Sequence, residues 1–411
     1  MGTSSPSRHP LRRSPHLHIA AWSLCVFFPL ALLRFYFYPY PATPLPQPLP
    51  SAPPPPTAGI RNRCDFSKGE WVGDEAGPLY NDTSCGTIKE TQRCIAHGRP
   101  DRAYLHYRWR PRGCSRIPPF QPRTFFRLLR NKHLAFVGDS MARNQLESLL
   151  CMLATASAPQ LLYTSGEDNK FRSWAFPSHN LTVSLYWSPF LVKGVEKPSG
   201  GNYNELYLDQ ADERWASDVD RIDVILLSVG HWFLHPAIYY QGDRVLGCHY
   251  CPATNYSEIG FYGVFGKALR TALGAVMEGA RRRRGMRAVV TTFSPAHFEG
   301  EWDRAGACPK TAPYGAGEKE LGWMDAEMRR RQATEVESAA KMFAESGGRV
   351  EALDVTELAM LRPDGHPGPY MKPAPFKNGV KDRVQNDCVH WCLPGPVDTW
   401  NEILLEVMKT W

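Results

Sequence analysis

Short uninterrupted apolar runs alternate, over most of the chain, with longer segments whose apolar positions recur every three to four residues. The runs at 134–137 (LAFV), 183–187 (VSLYW), 224–229 (VILLSV), 288–293 (AVVTTF) and 350–355 (VEALDV) read as buried strands. Helical spacing covers 141–153, 265–278, 324–343 and 397–408. Strands alternating with helices predict an α/β fold with a largely parallel sheet and helices on both faces. In such sheets reactive groups collect beyond the carboxyl ends of the strands. Residues 61–120 break the pattern with four cysteines and many turns, so they read as a disulfide-stapled minor lobe laid over a main domain at 121–411.

The first sixty residues are different in kind. Residues 1–18 are polar, carry Arg8, Arg12 and Arg13, and contain no acid. An apolar run follows at 19–33, then Arg34 and the aromatic string Phe35, Tyr36, Phe37, Tyr38. Counting that string as an interfacial belt, 19–38 is long enough to span a thin bilayer. The basic flank puts the N-terminus in the cytosol, and no small-x-small cleavage site follows. A type II signal anchor in the early secretory pathway is the expectation. Residues 39–60 are proline-dense and form an extended, polyproline-like stem.

Of eleven cysteines, Cys25 lies in the anchor, which leaves an even ten on the lumenal side for disulfides. Cys248 and Cys251 have the spacing of half a zinc site, yet no second such pair accompanies them, so no metal is expected. Sequons at Asn81, Asn180 and Asn255 fit the same compartment. The net charge of +7 sits largely in local clusters such as 281–284, with no basic stripe interleaved with aromatics, and nucleic acid is not an expected partner. No glycine-rich phosphate loop is present, so no bound cofactor is expected. Twelve Trp and 17 Tyr suit either sugar binding or a large core.

Two motifs carry candidate chemistry. Gly138-Asp139-Ser140 sits at a strand-to-helix turn, where a serine hydroxyl is presented beside the free N–H groups of a helix start, a setting that can stabilise an oxyanion. An ordinary helix cap is the alternative. Near the other end, Asp387 and His390 are three apart, close enough for the carboxylate to fix the imidazole tautomer. Flanking cysteines would hold the pair rigid, and Pro394 and Pro396 prevent a continuing helix. A structural histidine beside a disulfide is the alternative there.

GDS followed by MARNQ, together with DCVHWCLPGPVDTWNE, resembles the plant trichome-birefringence-like family of Golgi polysaccharide O-acetyltransferases, PC-esterases similar in layout to GDSL/SGNH hydrolases. The resemblance runs from Cys64 to the C-terminus and implies a three-layer α/β/α SGNH-like fold. It implies Ser140 as nucleophile, His390 as general base and Asp387 as its orienting acid. Double displacement would then move an acetyl group from a donor (acetyl-CoA or another activated acetyl) to a sugar hydroxyl. The oxyanion would be held by the Ser140 N–H and by Arg143 or Asn144, a structural salt bridge being the alternative for Arg143. Where SGNH enzymes place a further donor, this chain reads Gly230-His231-Trp232 without an asparagine, and Trp232 is expected to stack on a sugar instead. The implied disulfides are Cys64–Cys114, Cys85–Cys151, Cys94–Cys392 and Cys308–Cys388, with Cys248–Cys251 as a local pair.

GCHYC, TFSPAHFEGEWDRAGAC and LRPDGHPG look most similar to the xyloglucan branch of the family. A membrane-anchored Golgi enzyme acting on hemicellulose, most specifically xyloglucan, is the expectation. Xylan or mannan acetylation, polysaccharide deacetylation, and polysaccharide binding without chemistry are the alternatives. Arg362, Asp364 and His366 lie in a Pro/Gly-rich loop, which would either line an acceptor groove or form a plain surface loop.

Overall fold

The computed structural model describes residues 64–411 apart from 284, 346, 381 and 382. The tail, anchor and stem expected at 1–60 lie outside the described residues. Among the described residues no helix is long and apolar enough to cross a membrane.

Strands β1 (Gly69–Gly73) and β2 (Tyr107–Pro111) pair antiparallel in the N-terminal lobe. The next strands in order are β3 (His133–Gly138), β4 (Gln160–Ser165), β5 (Phe171–Phe176) and β6 (Leu181–Trp187). They are followed by β7 (Val192–Val195), β8 (Asn204–Ala211), β9 (Val224–Ser228), β10 (Ala237–Gln241) and β11 (Arg244–His249). β12 (Arg287–Thr291) and β13 (Arg349–Leu353) complete the set. The main sheet has seven strands in the order β13-β12-β9-β3-β6-β5-β4. It is parallel from β13 to β6, while β5 and β4 run antiparallel at one edge.

Four long helices cover this sheet: α1 (Ser140–Ala154), α2 (Tyr262–Arg282), α3 (Trp323–Glu345) and α4 (Asp398–Met408). Successive side chains of a strand point to opposite faces, and the core divides accordingly. Leu134, Phe136, Val224, Leu226 and Val289 join α1 and α4 through Leu146, Leu149, Leu150, Trp400 and Leu404. Ala135, Val137, Ile225, Leu227, Ala288 and Val290 join α2 and α3 through Phe265, Leu269, Met328, Val336 and Phe343. Three layers result, and burial on both faces is why these strands read as continuous apolar runs. The lobe has no large core of its own: Tyr80, Ile88, Trp109 and Ile117 pack into the α1/α4 layer.

Several expectations shift in detail. β12 and β13 end before Phe293 and Val355: the Thr292 N–H makes a last bond to the Leu353 carbonyl (3.0 Å), and its hydroxyl then accepts from the Val355 N–H (2.9 Å) and the Thr356 N–H (3.2 Å) in place of a backbone partner. A second sheet, in the order β11-β10-β8-β7, has no counterpart in the apolar-run reading, since its strands are only partly buried and carry polar residues between the apolar ones.

Under α4 lies a buried polar cluster. Asp398 accepts from Tyr80 Oη (2.8 Å) and Ser148 Oγ (2.5 Å), and Glu402 accepts from Arg108 (2.8 Å), which also binds Asp74 (2.7 Å). Burial pushes Asp398 up to about 6 against its hydrogen bonds. Burial likewise pushes Glu402 up to about 7; Arg108 opposes this, but its charge is divided between two acids. Both acids therefore hold protons in the folded chain that they lose in the unfolded chain. The contribution of these two acids to stability should fall as pH rises from about 4.5 to about 7. Buried histidines with lowered pKa values, His231 among them, work in the opposite direction, so the test is a comparison. Between pH 5.5 and pH 7.5 the melting temperature of Glu402→Gln should fall less, or rise more, than that of the wild type. An unchanged difference in the variant would contradict the assignment.

Candidate active site

β3 ends at Gly138, where a Cβ would run into the Ser228 carbonyl oxygen of the adjacent strand end, so only glycine lets the two strand ends approach. Asp139 then caps α1, its carboxylate accepting from the Met141 N–H (2.9 Å) and the Gly230 N–H (3.1 Å). One side chain thus ties the turn carrying Ser140 to the turn carrying His231 and Trp232. Burial pushes Asp139 up to about 6, opposed by those two hydrogen bonds and by the nearby His390 and Arg143. Ser140 opens the helix and is half-buried beyond the carboxyl ends of the parallel strands.

Asp387 and His390 form a closed turn. One Asp387 oxygen accepts from the backbone N–H of Val389 (3.0 Å) and of His390 (2.9 Å). The other lies 2.8 Å from His390 Nδ1, so Nδ1 carries the hydrogen and Nε2 is left with a lone pair. Burial alone would raise the Asp387 carboxyl, but the His390 charge and these hydrogen bonds override it and hold the group well below the usual carboxylate range. His390 Nε2 is buried without a hydrogen-bond partner, and no hydrogen bond joins it to Ser140 in this structure. An imidazole with one nitrogen tied to a carboxylate and the other unoccupied is arranged to accept a proton.

What joins the two motifs is Asn144, one turn along α1 from Ser140. Its Oδ1 accepts from the Trp391 N–H (2.8 Å) and its Nδ2 donates to the Trp391 carbonyl (3.2 Å). The expectation that Asn144 could donate to an oxyanion is therefore corrected: the side chain is fully buried and bound to the residue after His390. Asn144→Ala is expected to cost about 2–4 kcal/mol, because it strands two buried backbone groups of Trp391. Denaturant unfolding checks this; a loss under 1 kcal/mol would remove the clamp from the account.

Arg143 is nearly buried, its Nε has no partner, and its guanidinium lies 5.4 Å from the Trp187 ring. Burial lowers its pKa, with Glu147 opposing and Arg172 adding to the effect. Glu147 is itself occupied by Arg172 (2.7 Å) and the Lys89 N–H (2.9 Å). Trp232 is half-buried, edge-on to Trp187 (5.7 Å) and Phe190 (5.9 Å). With Glu196, Lys197, Asn204, His235 and Pro236 it lines a cavity of about 360 Å³. His231 donates to the Ser294 carbonyl (2.9 Å), and burial pushes it down to about 4, so the ring is neutral.

The expectation of a plain surface loop at the Pro/Gly segment is also corrected, although Arg362 and His366 each line a cleft. Arg362, Asp364 and His366 are all buried. Arg362 pairs with Asp364 (2.8 Å) and donates to the Tyr104 carbonyl (2.6 Å). Gly365 permits this inward fold, since a Cβ there would collide with Pro396. His366 lies directly behind the Asp387–His390 turn.

The structure pairs Cys64–Cys114, Cys85–Cys151, Cys94–Cys392, Cys248–Cys251 and Cys308–Cys388. Two of these bracket the turn at Cys388 and Cys392, and Cys151 ties α1 to the lobe. Asn81, Asn180 and Asn255 are all exposed.

Residues 117–407 match the PC-Esterase family, described as a GDSL/SGNH-like acyl-esterase family found in Pmr5 and Cas1p. Residues 62–115 match the PMR5 N-terminal domain. The chain is 66% identical to Xyloglucan O-acetyltransferase 1 of Populus trichocarpa over 85% of its length and 82% of the relative's. It is 58% identical to Xyloglucan O-acetyltransferase 2 of the same organism, over 100% of this chain and 98% of that one. Identity to Protein trichome birefringence-like 25 of Arabidopsis thaliana is 41%, over 85% of this chain and 77% of the relative. With the family covering 117–407 and relatives this similar over 77–98% of their own lengths, the protein belongs to the PC-esterase family and, within it, to the trichome-birefringence-like group.

Proposed function

We propose that the chain is an O-acetyltransferase that moves an acetyl group, through an acetyl ester on Ser140, to a hydroxyl of xyloglucan. The observation that carries the substrate is the 58–66% identity to two proteins named xyloglucan O-acetyltransferase. The chemistry rests on the geometry of Ser140, Asp387 and His390.

Ser140 Oγ attacks the donor's acetyl carbonyl while His390 Nε2 takes the hydroxyl proton. As the C–O bond to Ser140 forms, the donor's leaving group departs with that proton. A sugar hydroxyl then gives its proton to His390 Nε2, its oxygen attacks the acetyl-serine, and the proton returns to Ser140 Oγ as the ester breaks. Asp387 fixes the tautomer and balances the imidazolium in both halves. The Ser140 N–H, at the start of α1, and the Arg143 guanidinium are the proposed oxyanion donors. The unpartnered Nε of Arg143 supports that role. The cavity beside Trp232 supports an acceptor sugar stacked on the indole. No cofactor is proposed; the donor is acetyl-CoA or another activated acetyl.

A type II anchor at 19–38, a stem at 39–60, N-glycans at Asn81, Asn180 and Asn255, and a Golgi location with the catalytic part lumenal belong to the same proposal. Five disulfides and three exposed sequons support an oxidising secretory compartment.

The test supplies the full-length protein with an activated acetyl ester and deacetylated oligosaccharides of xyloglucan, xylan and mannan. Acetylated xyloglucan product is expected. Transfer only to xylan or mannan would overturn the substrate, and release of free acetate alone would make the protein an esterase.

A further inference from the structure

Behind the Asp387–His390 turn, two histidines make a contact that ordinary protonation does not explain. His366 Nδ1 lies 2.7 Å from the His390 carbonyl oxygen, and His297 Nε2 lies 2.8 Å from the Met360 carbonyl oxygen. A carbonyl only accepts, so both of those ring nitrogens carry hydrogen. In a neutral imidazole the other nitrogen is then a bare lone pair. Yet those two nitrogens, His297 Nδ1 and His366 Nε2, are 2.7 Å apart. Two neutral rings would thus face each other lone pair to lone pair. One added proton turns the same contact into a short charge-assisted hydrogen bond.

We propose that His297 and His366 share a single proton as an imidazole–imidazolium pair, and that this pair is a positioning device holding the His390 backbone. The proposal rests on the reading of His390 as the base.

The ring of His366 holds the His390 carbonyl, while the backbone N–H of His297 donates to the Cys388 carbonyl (3.0 Å) and keeps the pair seated against the turn in either protonation state. His366 is also fixed by stacking on Trp391 (4.2 Å between centroids). Among the charges facing the pair, Asp387, Asp364 and Glu299 favour the proton, while Arg99 and Lys319 oppose it. Asp364 is largely neutralised by Arg362, and Arg99 donates to the His366 carbonyl (2.8 Å). Burial pushes both rings toward neutrality, so the proton is held by contact geometry against desolvation. It loads at acidic pH and leaves as pH rises. Once it has left, one ring must turn and release either Met360 or His390. Activity then declines on the alkaline side.

The full-length protein in detergent, labelled with ¹⁵N-histidine, tests this directly. At pH 5.5 the difference spectrum against His297→Gln should show one imidazolium ring and a strongly deshielded shared N–H. Two neutral rings at that pH would overturn the proposal whether or not the protein transfers acetyl groups. In kinetics, a glutamine amide can donate to His366 Nε2 without an extra proton. His297→Gln should therefore lower kcat yet lose the alkaline decline, whereas His297→Leu should fall about tenfold further. An alkaline limb in His297→Gln identical to the wild type, or wild-type kcat in His297→Leu, would also overturn it.

Discussion

Ser140→Ala is expected to lower kcat for acetyl transfer by about 10⁴-fold or more, with stability changed by less than about 0.5 kcal/mol. The two parts of that expectation have separate causes. Asp139, not Ser140, caps α1 and ties the strand ends, so removing one hydroxyl from a half-buried position leaves the turn intact. No other residue in the proposed mechanism can carry the acetyl group, so rate is lost wholesale. Single-turnover labelling with the acetyl donor gives the complementary readout. Wild type should yield an acetylated peptide containing Ser140, and His390→Ala should form it far more slowly. Full activity in Ser140→Ala, or an acetyl group found on another residue, would discard the mechanism.

The second large effect concerns the bridge between Cys94 and Cys392, which are 298 residues apart. By the chain-entropy relation, closing a loop of that length contributes about 5–6 kcal/mol. That is a large share of the roughly 5–15 kcal/mol by which folded proteins are stable. The double variant Cys94→Ser/Cys392→Ser is therefore expected to unfold at much lower denaturant concentration, or to fail to accumulate. Where some folds, kcat should fall as well, because Cys392 is two residues from His390 and the lobe would no longer brace the turn. Losing only the local Cys248–Cys251 pair should cost about 2 kcal/mol by the same relation and leave kcat nearly unchanged. Equal effects from the two deletions would contradict the idea that loop length and position set the outcome.

How much of this could be read from the chain depended on whether the signal was local. Gly138-Asp139-Ser140 announces itself because a buried run meets a helix-spaced segment there. Asp387 and His390 announce themselves because a carboxylate and an imidazole three apart can meet within one turn. β4 and β5 escape the reading because their apolar runs, 161–163 and 174–176, are only three residues long, and every residue of β4 lies at least partly in solvent. Asn144 could be named as a polar residue one turn past the serine, but its partner is 247 residues away. Nothing in its neighbours says that its amide meets the Trp391 backbone. The same holds for Arg362, Asp364 and His366. A loop rich in proline and glycine usually lies at the surface, and here tertiary packing draws it inward under the Asp387–His390 turn. The cysteine pairing, in turn, followed from family resemblance and not from spacing.

The Asn144–Trp391 clamp also sets a schedule. Ribosomes add about 5–20 residues per second, so about 12–50 s separate the emergence of its two halves. During that interval α1 can already be present while the segment carrying His390 has not been made. Under the proposed mechanism a growing chain therefore holds Ser140 without its base, and it cannot consume acetyl donor. Competence arrives only when the final stretch, which also supplies α4, docks onto α1.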